Sequence, residues 1–280
     1  MRVLCTMGIT ACALSAAAFG ARPAAAQSPL GYVTARGSTV TPAYEGWYDN
    51  GDGTVTLSWG FYNRNSQETL EIPMGPDNFI EPARFDGVQP THFPPDRQWG
   101  AFGVVIPADY DGDRVTWTLK VRGRTFTIPA NTTVDWEIDA LEGEADGNGP
   151  PELAFSQDGP WFAGPGGEVE ELTAPVGAPT PIALWVRDDG LASVSIASSG
   201  REGAPVSVTW FKHSGPGSVA FEPAEAEVPH QGDVVRTQAT FSVPGEYLLR
   251  ARVNDASGVT GAGHSQCCWS NAFVRVVVGP

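Results

Sequence analysis

Basic residues are scarce in this sequence. Lysine occurs only at Lys120 and Lys212, and Lys+Arg total 17 against 32 Asp+Glu, a formal net charge of −15. A surface of that sign repels phosphate backbones and anionic lipid, which excludes nucleic acid as the expected partner. Cysteine is limited to four residues, Cys5, Cys12, Cys267 and Cys268. Long apolar runs are missing beyond the N-terminus, where no segment approaches the ~20 apolar residues needed to cross a bilayer. G-x-S-x-G, H-E-x-x-H and P-loop patterns are also missing, so no motif names a catalytic residue. His92 lies in the Pro-locked segment Gln89-Pro-Thr-His-Phe-Pro-Pro95. A catalytic histidine needs a nucleophile or carboxylate arranged around it, and the sequence supplies no reason to choose one.

Apolar residues are plentiful, at 41% of 280 residues, so a sizeable core can be buried. Gly (33) and Pro (24) are frequent, which favours many turns and few long helices.

The N-terminus reads as an address. Arg2 precedes an apolar, Ala-rich run from Val3 to Phe19, and Ala24 and Ala26 stand at the small-residue positions that a signal peptidase reads. Residues 1–26 are therefore expected to be a signal peptide cleaved before Gln27, leaving an exported chain with no transmembrane segment, periplasmic or extracellular. A lesser alternative is lipidation at Cys12, because Ile9-Thr10-Ala11-Cys12 fits a loose lipobox. Cleavage removes Arg2 and Arg22 but no acid, leaving 15 bases against 32 acids, a net −17.

Period-two alternation dominates the rest of the chain. Val55, Leu57, Trp59 and Phe61 share one face of a predicted strand, with Thr54, Thr56 and Ser58 on the other. Arg114–Val121 and Arg124–Ile128 flank Arg122-Gly123 as a tight hairpin. Ala101–Ile106 and Thr133–Ile138 are further strand candidates. In the second half Ile182, Leu184 and Val186 alternate, as do Val206, Val208 and Trp210. Tyr247, Leu249, Ala251 and Val253 point inward, with Arg250 and Arg252 outward. Residues 142–151 combine acid, Gly and Pro without an apolar anchor and read as a linker. The expected fold class is all-β: two antiparallel β-sandwich domains in tandem, residues 27–141 and 152–280.

Val206-Ser-Val-Thr-Trp210, Ser214-Gly-Pro-Gly217, Ala239-Thr-Phe-Ser-Val-Pro-Gly-Glu-Tyr247 and Arg252-Val-Asn-Asp255 resemble a PKD/Ig-like domain over about residues 175–280. The resemblance implies a sandwich of about seven strands, with Tyr247 at a tyrosine-corner position and Trp210 as a core tryptophan. It also implies a spacer, adhesion or binding role in a secreted bacterial protein. The segment between Asp255 and Ala272 departs from that pattern, and the first half resembles no named family.

Four groups of residues invite a functional reading. Cys267 and Cys268 remain after signal cleavage and are adjacent, so a strained vicinal disulfide, an intermolecular bridge, or a reduced pair with His264 holding zinc or copper all stay open. Asp49-Asn-Gly-Asp52 and Asp109-Tyr-Asp111-Gly-Asp113 resemble openings of calcium loops, yet Asn-Gly and Asp-Gly equally suit hairpin turns. Trp47-Tyr48 and Phe61-Tyr62 are adjacent aromatics on predicted strands, so one member of each pair leaves the core. An exposed row of Trp47, Tyr48 and Tyr62 beside Asn63 and Arg64 would stack on a sugar or bind a partner. The expected function is an exported, non-enzymatic binding or structural module whose partner is a cell-surface or extracellular protein or glycan. Carbohydrate binding through the aromatics and a metal or redox site at His264/Cys267/Cys268 are the alternatives.

Overall fold

The computed structural model describes residues 33–138, 148–191, 203–258 and 268–280. The expected signal peptide, linker residues 142–147, His264 and Cys267 lie outside the described residues.

In the first half, β1 (Val40–Asp49) and β2 (Thr54–Asn63) form a hairpin, and β6 (Asp96–Pro107) pairs with the other side of β2. A second three-stranded sheet contains β4 (Asn78–Glu81), β7 (Thr116–Val121) and β8 (Arg124–Pro129). A short pair, β3 (Leu70–Glu71) and β5 (His92–Phe93), flanks them. Arg122 (φ 52°) and Gly123 (φ 74°) make the β7–β8 turn, the two left-handed residues that a two-residue hairpin requires. The alternation in β2 buries Val55, Leu57, Trp59 and Phe61 as the spacing predicts. Trp59, Phe102 and Trp117 interlock at the centre, with Trp117 edge-on to both neighbours at 6.2 and 5.0 Å.

Thr133–Ile138 is not a strand. Val134–Trp136 forms a single 3₁₀ turn that lays Trp136 against Tyr44, and only Glu137 bridges back to Trp47. The ring contact with Tyr44 and the hydrogen bonds of Trp47 Nε1 to Thr133 O and of Ile138 N to Trp47 O, not a sheet ladder, hold this segment.

The second half is an immunoglobulin-like sandwich. One sheet runs β13 (Val219–Glu222), β15 (Asp233–Phe241), β11 (Thr180–Arg187) and β9 (Glu152–Ala154). The other runs β10 (Glu168–Pro175), β17 (Trp269–Gly279), β16 (Gly245–Asn254), β12 (Val206–Ser214) and β14 (Glu225–Val228). All pairs are antiparallel except β10 with β17. The inward residues read from the sequence are buried: Ile182, Leu184, Val186, Val206, Val208, Trp210, Tyr247, Leu249, Ala251 and Val253. The Tyr247 hydroxyl donates to Val243 O at 2.9 Å, four residues back. The turn Ser214–Gly217 closes over this ring, where a Cβ on Gly215 (φ +133°) would overlap Tyr247. Tyr247→Phe is expected to cost about 1 kcal/mol, since it strands one carbonyl and keeps the packing. A urea midpoint within error of wild type would contradict that role.

Arg250 and Arg252 point out of their own sandwich, as predicted, but not into water. Arg250 is 3% exposed. Thr56 and Ser58, on the outer face of β2, are buried too. The outer faces of the two halves lie against each other, and Val33–Pro280 clusters as one unit. β17 shows the consequence. Its residues from Trp269 to Val274 are buried on both faces, with Phe273 entering the first half's core and Val274 its own.

Candidate functional site

The faces where the halves meet are polar, and each charge there has a partner. Glu45, on the outer face of β1 at a bulge, is fully buried. Its Oε1 accepts from Arg97 Nη2 and its Oε2 from Gly100 N at 2.7 Å. From the other half, Arg250 Nη1 donates to Gly100 O at 2.5 Å, Arg252 Nη1 to Trp99 O at 3.2 Å, and Asn271 Nδ2 to both Gly100 O and Pro165 O at 3.0 Å. Phe211 lies opposite Arg250 in the β12–β16 register, and its ring receives the guanidinium of Arg250 at 4.5 Å and that of Arg252 at 5.3 Å. Arg97 caps Trp99 in the same way at 3.9 Å. Burial and the neighbouring Arg252 push the Arg250 guanidinium well below its usual range, and the Glu45 charge opposes them. Arginine is too basic to lose its proton here. The direction therefore measures the cost of burying a charge, which Glu45 offsets.

A second polar group closes the rim. Lys212 Nζ donates to Glu71 Oε1 at 3.1 Å, and His92 Nδ1 lies 2.6 Å from the same oxygen. Burial raises the Glu71 carboxyl, but the hydrogen bonds and charges of His92 and Lys212 outweigh it, leaving it below its usual value. His213 is buried, its Nε2–H donating to Val88 O at 2.9 Å. Burial pushes its pKa down to about 3, the Val88 bond opposes, and the charges of Arg250 and His92 add to the fall.

These shifts set the pH dependence of stability. Folded His213 stays neutral to about pH 3, while the unfolded chain takes up its proton near 6.5. Its contribution is full above pH 6.5 and lost as pH falls toward 3, at up to about 1.4 kcal/mol per pH unit. Asp188 acts oppositely. Burial first, then the Asp255 and Asp189 charges, raise it to about 6, so its penalty is full above pH 6 and relieved as pH falls toward 3.8. His213→Gln keeps a donor for Val88 O and removes the first effect. Its urea midpoint is expected to change less between about pH 7 and pH 4.5 than that of wild type. Equal acid sensitivity of the two proteins would contradict this.

The aromatic row expected from the sequence is divided. Trp47 and Tyr48 lie at one end of β1. Trp47 Nε1 donates to Thr133 O at 3.0 Å, and Tyr48 packs beside Ile138 and Trp269. Tyr62 and Arg64 lie at the other end of the hairpin, where Tyr62 pairs with Thr41. Arg64 stacks on Tyr62 at 5.2 Å and bonds Thr41 Oγ1. Asn63 is fully buried, its amide committed to Glu68 O and Phe93 O. Its role in the structure is to hold a loop, not to face solvent.

The two acidic turns are neighbours, because Ala108 N donates to Gly53 O at 2.9 Å. Asp49 Oδ1 accepts from Gly51 N, and Asp52 Oδ1 from the Thr54 amide and hydroxyl. The Thr54 bonds hold the Asp52 carboxyl below its usual range. Asp109, Asp111 and Asp113 are exposed. Among the described residues no group of three His, Cys, Asp or Glu gathers in a metal-holding arrangement. Cys268 is buried and disulfide-bonded, with its Sγ 3.5 Å from Asn148 O. Every other cysteine, and His264, lies outside the described residues.

A cavity that the sequence reading missed opens at the side of the second sandwich. It measures about 430 Å³ and lies between the loop after β9 and the start of β10, with Phe155, Trp161, Phe162, Glu168, Val169 and Glu170 on its walls. The alternation that buries Ala174 and packs Leu172 on the core turns Glu168 and Glu170 the same way, beyond the core's edge. The only sequence signal was the aromatic pair Trp161-Phe162 after a Gly-Pro turn, just past the linker.

No family model matches the chain, and no curated relative matches it. Solved structures similar to parts of it include the Salmonella enterica SafA pilin in complex with the SafB chaperone, at 11% identity and a TM-score of 0.28, covering 48% of this chain and 58% of that one. The chain thus spans less than two thirds of that structure's length. The D00-D0 domain of Intimin is similar at 12% identity and a TM-score of 0.26, covering 85% of this chain and 100% of that one. The Yersinia pseudotuberculosis adhesin InvE has the same identity and TM-score, covering 85% of this chain and 58% of that one. Likenesses this distant carry no argument about function, and the fold assignment rests on strand order and burial. Among the described residues no helix is long and apolar enough to cross a membrane.

Proposed function

We propose that the chain is an exported, non-enzymatic structural and binding module of the cell surface or periplasm, in which two β-sandwiches act as one load-transmitting body. The observation that supports this most is the polar seam in which buried Glu45, Arg250 and Asn271 meet half-buried Arg97 and Arg252. Tandem domains meant to move independently meet through small, wet contacts, whereas here charges are taken out of water to join them. Export is supported by the signal-like residues 1–26 and, independently, by the disulfide at Cys268, because disulfides persist in oxidising compartments. The Trp210 strand, the Ser214–Gly217 turn and the Tyr247 corner support a PKD-type variant of the second sandwich.

The test is expression with the native N-terminus in a bacterial host. The expected product is exported, begins at Gln27, and resists alkylation at Cys268 until reduced. A cytoplasmic product with a freely alkylated Cys268 would overturn the reading.

A further inference from the structure

The geometry points to the cavity beside β10 as a site for a lysine or arginine side chain, presented by an extended segment of a partner protein. This rests on the binding-module reading and names the chemistry of one surface. The cavity, at about 430 Å³, has aromatic walls in Phe155, Trp161 and Phe162, with the two phenylalanine rings 5.5 Å apart. Exposed Glu168 and Glu170 line its rim, and neither has a cationic partner among the described residues. Aromatic faces and unneutralised carboxylates in one concavity are complementary to an organic cation. Trp161 already shows the preference. Arg187 lies over its ring at 4.1 Å, fixed there by a bidentate pair with Glu152 at 2.7 and 3.0 Å. That arrangement covers one face of the indole and fixes the ring's orientation.

The choice of an extended segment comes from β10. It is the outermost strand of its sheet, pairing only with β17 among the described residues, so its other backbone edge is open to strand addition. A segment paired there sends alternate side chains toward the cavity. Edge glutamates also guard sheets against self-association. That bland role accounts for Glu168 and Glu170 but not for the aromatic hollow they face. The acidic balance of the chain steers basic segments toward it.

The test monitors the indole N–H signal of Trp161 by NMR, assigned through Trp161→Phe, in the disulfide-intact mature protein. The probes are a capped hexapeptide alternating threonine and lysine, the same peptide with acetylated lysines, N-acetyl-lysine amide, and a neutral oligosaccharide. The expected result is a saturable shift with the basic hexapeptide, about tenfold weaker with the single lysine amide, and absent with the acetylated peptide. Glu168→Gln with Glu170→Gln is expected to weaken the hexapeptide about tenfold while leaving the urea midpoint unchanged. These two substitutions keep the inference testable even if a Trp161 variant fails to fold. It is overturned if the acetylated peptide binds equally, if the double variant binds as wild type does, if the single lysine amide matches the hexapeptide, or if only the oligosaccharide binds. Failure of every probe overturns it too, yet leaves the module reading to be judged by export and by the Cys268 disulfide.

Discussion

Glu45→Gln is expected to cost about 3–5 kcal/mol, the range for removing one partner from a buried set of charges. The substitution keeps the shape of the side chain and an acceptor for Gly100 N, so the loss isolates the charge. Without it, buried Arg250 has no carboxylate to offset its charge, half-buried Arg97 loses its ion-pair partner, and Arg252 keeps only the Glu225 charge. At about 2–4 °C per kcal/mol for a domain of this size, the melting temperature is expected to fall by roughly 6–20 °C. Calorimetry checks the size, and the exposed Glu152–Arg187 pair is the control. Neutralising Glu152 is expected to leave the melting temperature nearly unchanged, because water screens that pair. Equal effects at both sites would mean that burial of Glu45 has no energetic consequence.

Gly60→Ala is expected to be comparably damaging, about 3 kcal/mol or more, for a steric reason. Gly60 lies in β2 where the pairing with β6 shifts register. A Cβ there would overlap Glu45 Oε1 and Gln98 O and come within 2.5 Å of Arg97 Nη1. The Gln98 oxygen is backbone and cannot swing away, and the Glu45 carboxylate is pinned by its two donors. Gly279→Ala, where a Cβ meets nothing within 4 Å, is the neutral control. Because Gly60→Ala acts largely through Glu45, combining it with Glu45→Gln is expected to cost less than the two effects added. Full additivity, measured by urea unfolding, would contradict a shared mechanism.

The strands were legible because half-buried sheets write a period of two into the sequence. Val55 to Phe61, Ile182 to Val186 and Tyr247 to Val253 all fold with the faces that this period dictates. Thr133–Ile138 was misread because β-branched and aromatic residues also suit a turn whose anchor, Tyr44, is remote in sequence. The seam was not legible at all. An outward arginine reads as a solvated one, and nothing near Arg250 in sequence announces Gly100 or Glu45, some 150 and 200 residues away. One trace existed: Trp269-Ser-Asn-Ala-Phe-Val274 does not alternate, as expected of a strand covered on both faces. The cavity escaped because nothing in the run from Phe155 to Glu170 shows that the aromatic loop and the strand after it close one concavity. Asn63 misled because its place beside Tyr62 and Arg64 at the end of β2 does not announce that its amide is bonded inward, to Glu68 O and Phe93 O.

The most direct measurement is hydrogen exchange by mass spectrometry across a urea series, comparing β7 in the first half with β16 in the second. Two sandwiches joined by a buried seam of charges unfold as one, so slow exchange is expected to be lost from Trp117–Leu119 and Leu249–Ala251 at the same urea concentration. In Glu45→Gln both midpoints are expected to move down together, or to separate as the joint weakens. Wild-type protein in which one sandwich keeps its protection after the other has lost it would contradict the claim that the halves form a single body.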